Sequence, residues 1–424
     1  MMSARSKPYN PFSLRNLLLF LLLAFVVYFM LVHNNKSTLK ALENEKVPSS
    51  LQVSFTNSLV PLYPITGVNV YGLLSHSCGM GRTARVVLKC FLAVNGSVTA
   101  TDITASHFGV KGPIDEFERY GVSNQPSPNN LFDLFAVNAD YTPRILNYIA
   151  ELDKEKTGLI AGSRFHPYSN HYRIGLWHWE TSSLPLPQGF IGGNYNEIWT
   201  PTKFIADAIR NTPTFSSSAK VVVLPYGIAT ELPLAAGAVR DEARSRLLNY
   251  TVDVGQLWPA FRKTTEIEKW SRPGSKTTIF LVIFDFKSDF NRKNVIGSMA
   301  AFEEAFPPSK GDDVGLIIKM DGHLVPELKP DSDRVMADIF KYNDDRIYYF
   351  GGYSPDERLF DIKRGTDCYI SLHRSEGLGL NLLEAIFSGV PTITTAFSGS
   401  EEFMNIFYGY ISALPLIFCC TYSK

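Results

Sequence analysis

Residues 367–403 carry a rhythm of apolar and glycine-bearing stretches that constrains this chain more than any other segment. Cys368 to Leu372 is a short apolar run suited to a buried parallel strand, and the polar turn from His373 to Gly379 follows it directly. A helix is expected from Leu380, with Leu380, Leu383, Ile386 and Phe387 on one face and Gly389 ending it. Pro391 to Thr395 reads as the next strand. A strand, helix, strand unit of this kind belongs to a parallel α/β sheet.

Such a unit places its loop at the carboxyl end of the sheet and aims the helix's free backbone N–H groups at whatever sits there, so an anion is the natural guest. Glu376 lies in the loop and Glu384 about one turn inside the helix, with seven residues between them. Carboxylates accept hydrogen bonds from hydroxyl groups, and two of them beside a phosphate-binding helix start describe a site for a polyhydroxylated phosphate ester such as a nucleotide sugar. Equally open from these residues alone is that both glutamates simply favour the positive end of the helix.

The spacing of Glu376 and Glu384, the glycines around them and the flanking strands resemble the retaining glycosyltransferases of the GT-B architecture. The group in question is the large group 1 family (family 4) that includes sucrose synthase and bacterial mannosyltransferases. The resemblance implies an α/β fold of two doubly wound Rossmann-like domains with the active site in the cleft between them. It also implies roles: Glu376 contacts the donor sugar as the catalytic-site carboxylate, Glu384 holds the ribose hydroxyls, and Gly379 and Leu380 offer backbone N–H groups to the diphosphate.

Three further segments are similar to the same family. Ile279 to Phe284 reads as a strand running into Asp-Phe-Lys-Ser-Asp-Phe-Asn-Arg-Lys-Asn and then a helix, Val295 to Phe306. A Lys and an Arg at that junction give fixed positive charge for a leaving diphosphate, the Lys as a point charge and the Arg as a fork. Lys293 matches the family's phosphate lysine; the arginine usual five positions earlier is replaced by Ser288, so Arg292 either substitutes for it or lies on the surface. Val68 to Leu74, a turn from His76 to Gly81 and a helix from Thr83 to Leu92 resemble the opening of the first domain, where Gly79 and Gly81 let the backbone approach the donor. The segment from Tyr172 to Phe204 resembles the middle of that domain, with Trp177, Trp179 and Glu180 where the acceptor binds; burial of the tryptophans in the core is the competing reading. Val221 to Ile228 reads as the last strand of the first domain.

With 45% apolar and 19% charged residues, the chain can build two cored domains, and its 41 basic against 41 acidic residues give no field that would attract nucleic acid. Leu17 to Val32 is a run of sixteen apolar residues preceded by Arg5, Lys7 and Arg15. At 1.5 Å per residue it spans about 24 Å, short of the roughly 30 Å hydrocarbon core but extended by its polar flanks, so an uncleaved membrane anchor is expected, with a cleaved signal peptide as the rival. The basic residues before it put the N-terminus in the cytoplasm and the enzyme in the lumen of the Golgi or another secretory compartment. The organisation expected is a tail at 1–16, anchor at 17–32, stem at 33–60, first domain at 61–239, linker or helical insertion at 240–276 and second domain at 277–424.

Asn35, Asn95 and Asn249 begin glycosylation triplets, and five cysteines lack metal or disulfide spacing. Asp331-Ser-Asp333 has the form of a metal-binding acidic pair but, after Pro330, reads as loop. The resemblance implies no metal or other cofactor, a UDP- or GDP-linked sugar as donor, and a glycan, lipid or protein as acceptor. Relatives in this family continue past the Ser-Gly-x-x-x-Phe-Met segment, whereas Ile406 to Cys420 is mostly apolar without amphipathic period, so either a truncated chain or an unusual apolar tail is expected. The rival to a working enzyme is a catalytically inactive, membrane-tethered relative that binds sugar or nucleotide.

Overall fold

The computed structural model describes residues 67–76, 78–93, 97–104, 122–157, 171–215, 218–225, 237–247, 266–272, 274–286, 288–321, 329–339, 341–342, 344–351, 356–410 and 418–420. The apolar run at 17–32 and the triplets at Asn35, Asn95 and Asn249 lie outside these residues. Among the described residues no helix is long and apolar enough to cross a membrane.

The first domain is built on β1 (Val68–Gly72), β2 (Val98–Asp102), β3 (Phe132–Ala136), β4 (Tyr172–Leu176), β5 (Glu197–Thr200) and β6 (Lys220–Val223), in spatial order β2-β1-β3-β4-β5-β6. Its helices include α1 (Gly79–Ala93), α2 (Thr142–Thr157), α3 (Leu186–Ile191) and α4 (Lys203–Arg210). After α5 (Gly237–Arg246) and α6 (Glu266–Trp270) come β7 (Thr278–Asp285), α7 (Phe290–Lys293), α8 (Val295–Ala305), β8 (Val314–Asp321), α9 (Lys329–Ile339), β9 (Ile347–Phe350), α10 (Asp356–Arg364), β10 (Cys368–Ser371), α11 (Leu380–Phe387), β11 (Thr392–Thr395), α12 (Gly399–Tyr410) and β12 (Phe418–Cys420). The second sheet has the order β12-β11-β10-β7-β8-β9, and the strand pairings in both sheets are parallel.

Why these segments become strands is plain from their chemistry. Helices cover both faces of a doubly wound sheet, so a central strand carries apolar side chains in both directions. In β1, Val68 and Val70 enter one core with Leu134, Leu176 and Leu88, while Tyr71 enters the opposite core with Phe135, Trp177 and Ile198. β7 and β8 divide likewise: Val282, Leu316 and Ile318 face one side, Leu281 and Ile317 the other. Each fully buried Leu or Ile contributes about 2 kcal/mol of apolar transfer, so an Asp at Ile317 would cost the sheet far more than a surface change.

Strand order reverses between β1 and β3 in one sheet and between β7 and β10 in the other, and open parallel sheets bind ligands outside the carboxyl ends of strands at such points. The chain leaving β1 carries Gly79 and Gly81 into the first turn of α1, that leaving β7 carries Arg292 and Lys293 in α7, and the loop after β10 carries Glu376. Topology thus places most of the expected site residues at the two switch points.

Three sequence expectations change. α1 begins at Gly79 rather than Thr83, so Gly79 and Gly81 occupy its first turn, where backbone N–H groups have no partner four residues back and the helix can start early. Asp331 and Asp333 lie in α9, not a loop, because the fixed φ of Pro330 suits a first helical turn. The segment from 406 continues as helix to Tyr410, and Phe418–Cys420 adds β12 in parallel to β11, so part of the apolar tail supplies a sixth strand. Within 240–276, α5 packs on α10: Arg244 Nη2 lies 2.7 Å from Asp367 Oδ2 and Arg246 Nη1 lies 2.9 Å from Asp361 Oδ2. Leu247 and Trp270 complete the core on one face of the second sheet. The described parts of that segment are therefore built into the second domain.

Candidate active site

Two loops of the second domain are stitched together before any side chain meets a ligand. Asp289 caps α7, its carboxylate accepting from the backbone N–H of Asn291 at 2.8 Å and of Arg292 at 3.3 Å. Asn294 then takes the left-handed conformation (φ 53°) that Asn tolerates, breaking α7 from α8, and its side-chain amide donates to Leu372 O at 2.8 Å. The Arg374 N–H donates to Arg292 O at 2.8 Å. The loops after β7 and β10 are thereby fixed in register.

On this frame Arg292, 7% exposed, donates from Nη1 to Ser375 O at 2.8 Å and lies 3.2 Å from Glu376 Oε1. Lys293 Nζ contacts the same oxygen. Arg292 is thus not a surface residue; it faces the site. Burial by itself pushes the Glu376 carboxyl up, but Lys293 and Arg292 beside it outweigh that effect and hold it below the ordinary carboxylate range. The backbone of Glu376 is clamped as well, its N–H donating to Ser398 Oγ at 2.8 Å and its carbonyl accepting from Gly399 N at 2.9 Å. His373 is buried between Ser371 and Ser400 hydroxyls at 3.0 and 3.1 Å, and burial lowers its pKa.

α11 starts on Gly379, whose φ of +82° is the left-handed region where a side chain would be strained, and no side chain caps this helix start. One turn on, Glu384 is fully buried: its Oε2 contacts Lys363 Nζ of α10 and its Oε1 lies 2.7 Å from Arg82 Nη1 of α1 in the first domain. Lys363 also donates to Asn381 Oδ1 at 2.9 Å.

The first domain meets this surface closely. A Cβ on Gly79 would touch only Leu380 Cδ1, at 3.6 Å, so the starts of α1 and α11 lie against each other; a Cβ on Gly81 would instead collide with His76 O at 2.3 Å, which makes that glycine a packing requirement of its own turn. Glu180 reaches across to Arg292 Nη2 at 2.9 Å. Burial raises the Glu180 pKa while Arg292 opposes the rise. Trp179 sends its indole N–H to Thr181 Oγ1 (2.8 Å) and Ser183 O (2.7 Å), and its carbonyl oxygen would lie 2.2 Å from a Cβ on Gly377. Trp177 is different: it is 2% exposed and packs edge-on to Tyr195 at 5.5 Å, in the core rather than the cleft. The alternation of side chains along β4 and beyond turns it inward.

The structure brings Arg292, Lys293, Glu376 and Glu180 into one cluster, and Gly79, Gly379, Leu380 and Glu384 into an adjoining one. It adds groups that sequence reasoning missed. Glu402 of α12 accepts from Lys203 N (2.9 Å) and Phe204 N (2.7 Å) at the start of α4, and Thr202 Oγ1 donates to Gly377 O at 2.9 Å, so the domains are also bonded away from the charged cluster. Arg82 carried a readable signal, since a cation in the first turn of a helix opposes the macrodipole and calls for a reason. Lys363 carried none, lying in a helix whose acidic and basic residues read as solvated.

Residues 276–412 match the family described as glycosyl transferases group 1. A 60-residue stretch is 42% identical to mannosylfructose-phosphate synthase of Agrobacterium fabrum, covering 14% of this chain and 13% of that protein. Among solved structures, Anabaena HepE in complex with UDP and glucose is similar with a TM-score of 0.49 at 11% identity, over 80% of this chain and 82% of that one. A UDP-forming trehalose-phosphate synthase from Burkholderia xenovorans is similar with a TM-score of 0.46 at 12% identity, over 80% and 85%. The segment similar to that family, residues 276–412, holds Lys293, Glu376 and Glu384.

Proposed function

We propose that this chain is a retaining glycosyltransferase that moves a sugar from a UDP- or GDP-linked donor to a glycan, lipid or protein acceptor. The observation that carries the reading is the convergence of Lys293 and Arg292 on Glu376 beside the uncapped start of α11, with Glu180 of the other domain closing the cluster. Two cations and a helix N-terminus supply the charge that a departing diphosphate needs, so the proposed reaction uses no metal ion. Glu376, held ionised, accepts from hydroxyls of the donor sugar and so fixes the anomeric carbon between the domains. Gly379 and Leu380 offer backbone N–H groups to the diphosphate, and Glu384 accepts from the ribose.

In the step itself, the bond from the anomeric carbon to the diphosphate breaks as the acceptor oxygen bonds to that carbon on the same face. The acceptor proton passes to a leaving phosphate oxygen. Lys293, the more exposed of the two cations, follows the diphosphate as its charge develops, while Arg292, held between Glu376 and Glu180, adds its charge from a fixed position. Trp179 and Glu180 border the acceptor side. We further propose that residues 17–32 tether the enzyme to a Golgi or other secretory membrane with its N-terminus cytoplasmic, a reading supported by the sixteen apolar residues and the basic residues before them.

The test is transfer and hydrolysis by the full chain in detergent across a panel of UDP- and GDP-sugars, with Glu376→Ala and Lys293→Ala alongside. Turnover with one donor, falling by about two orders of magnitude or more in both variants, is expected; nucleotide binding without turnover of any donor would replace this reading with that of an inactive, sugar- or nucleotide-binding relative.

A further inference from the structure

Arg82 belongs to the first domain by sequence, yet its guanidinium sits on a carboxylate of the second. Nη1 lies 2.7 Å from Glu384 Oε1, and the side chain is 12% exposed where that of Glu384 is 0%. The other oxygen of Glu384 is already compensated by Lys363, also 0% exposed and held further by Asn381. Two cations therefore share one carboxylate. Of the two, Lys363 is the fixed partner, enclosed in the second domain. Arg82 is the one at the edge, and its departure would leave Glu384 still paired.

The surroundings say where Arg82 would go. Gly79, three residues before it in α1, abuts Leu380 at the start of α11, so Arg82 stands one helical turn from the backbone N–H groups that the proposed function gives to the diphosphate. A guanidinium makes forked, charge-assisted bonds to phosphate oxygens. Hydroxyls of a ribose that reached Glu384 would need the oxygen that Arg82 occupies.

We propose that Arg82 is a donor-binding residue contributed by the first domain: on binding, the ribose hydroxyls replace it on Glu384 and its guanidinium transfers to the diphosphate of the nucleotide. This rests on the transferase reading above and deepens it. Arg82 thereby makes diphosphate recognition a property of both domains together, with Lys293 and Arg292 on one side of the cleft and Arg82 on the other.

The experiment is calorimetric titration of the full chain with UDP and GDP, and with uridine and guanosine by competition, for wild type, Arg82→Gln and Arg82→Lys. The quantity read is the ratio of diphosphate to nucleoside affinity within each variant, which a partly unfolded sample lowers in neither term relative to the other. Arg82→Gln is expected to lower that ratio about tenfold to a hundredfold, the range of one lost charged hydrogen-bonding group, with Arg82→Lys between it and wild type. An unchanged ratio in Arg82→Gln, whether or not both affinities fall together, overturns the assignment and leaves Arg82 as an interdomain ion pair. Failure of the wild type to bind either diphosphate is a different result: it overturns the transferase reading, and this inference falls with it.

Discussion

Lys363→Met tests whether the buried charges around Glu384 hold the second domain together. Lys363 and Glu384 are both fully buried, their charged ends are in contact, and Lys363 is tied to Asn381 as well. Met keeps the unbranched stem and removes the charge. Deleting one partner of a buried pair costs about 3 to 5 kcal/mol because the survivor is left uncompensated. Here Arg82 remains on Oε1 at 2.7 Å, so the lower end, about 3 kcal/mol, is expected, a hundredfold or more in the folding equilibrium. The assay is equilibrium urea unfolding of wild type, Lys363→Met, Glu384→Gln and the double variant, each stability taken from midpoint and slope. Because each single change strands the other member of the pair, the double variant should be more stable than the sum of the singles by about 2 kcal/mol or more. A cost for Lys363→Met below about 1 kcal/mol, or additivity within about 0.5 kcal/mol, would refute the claim that these groups act as one buried unit.

Two further outcomes follow from particular contacts. Gly377→Ala is allowed by its own backbone, which is not among the glycines with positive φ, but its Cβ would come within 2.2 Å of Trp179 O across the domains; the variant should fold with a near wild-type melting curve and lose donor turnover by tenfold or more (about 1.4 kcal/mol on the closed arrangement), and retained turnover would contradict the domain contact. His178, pushed by burial from 6.5 to about 4, stays neutral in the folded chain while the unfolded chain takes up a proton below 6.5, so the unfolded state binds more protons and stability falls as pH drops from 6.5 toward 4; His178→Gln should flatten that window relative to wild type in melting curves, and superimposable pH profiles would exclude the effect.

What could be read from the sequence is what local chemistry determines. The strands were legible because burial on both faces writes a continuous apolar run, as in Ile279 to Phe284. Lys293 and Glu376 were legible because each lies in a short connection between a strand and the following helix. The sequence leaves two readings open where one residue type serves two environments. Trp177 and Trp179 are two residues apart, yet one fills the core beside Tyr195 and the other bends its indole onto Thr181 and Ser183. Pro330 looked like a loop signal and opens a helix instead.

The contacts between the domains had no local signature, and Glu402 shows why. In sequence it is an acidic residue in the first turn of α12, fully explained by attraction to its own helix's positive end. In the structure its two oxygens accept the free N–H groups of Lys203 and Phe204, 199 and 198 residues away, at the start of α4. One carboxylate thus answers two helix N-termini, and only the nearer one is written beside it in the chain. The same holds for Glu384, which has a sufficient local description and a partner, Arg82, in the other domain. A two-domain chain built this way keeps its candidate site residues in short segments and its interdomain contacts in pairs of residues that acquire a shared purpose only when the two sheets come together.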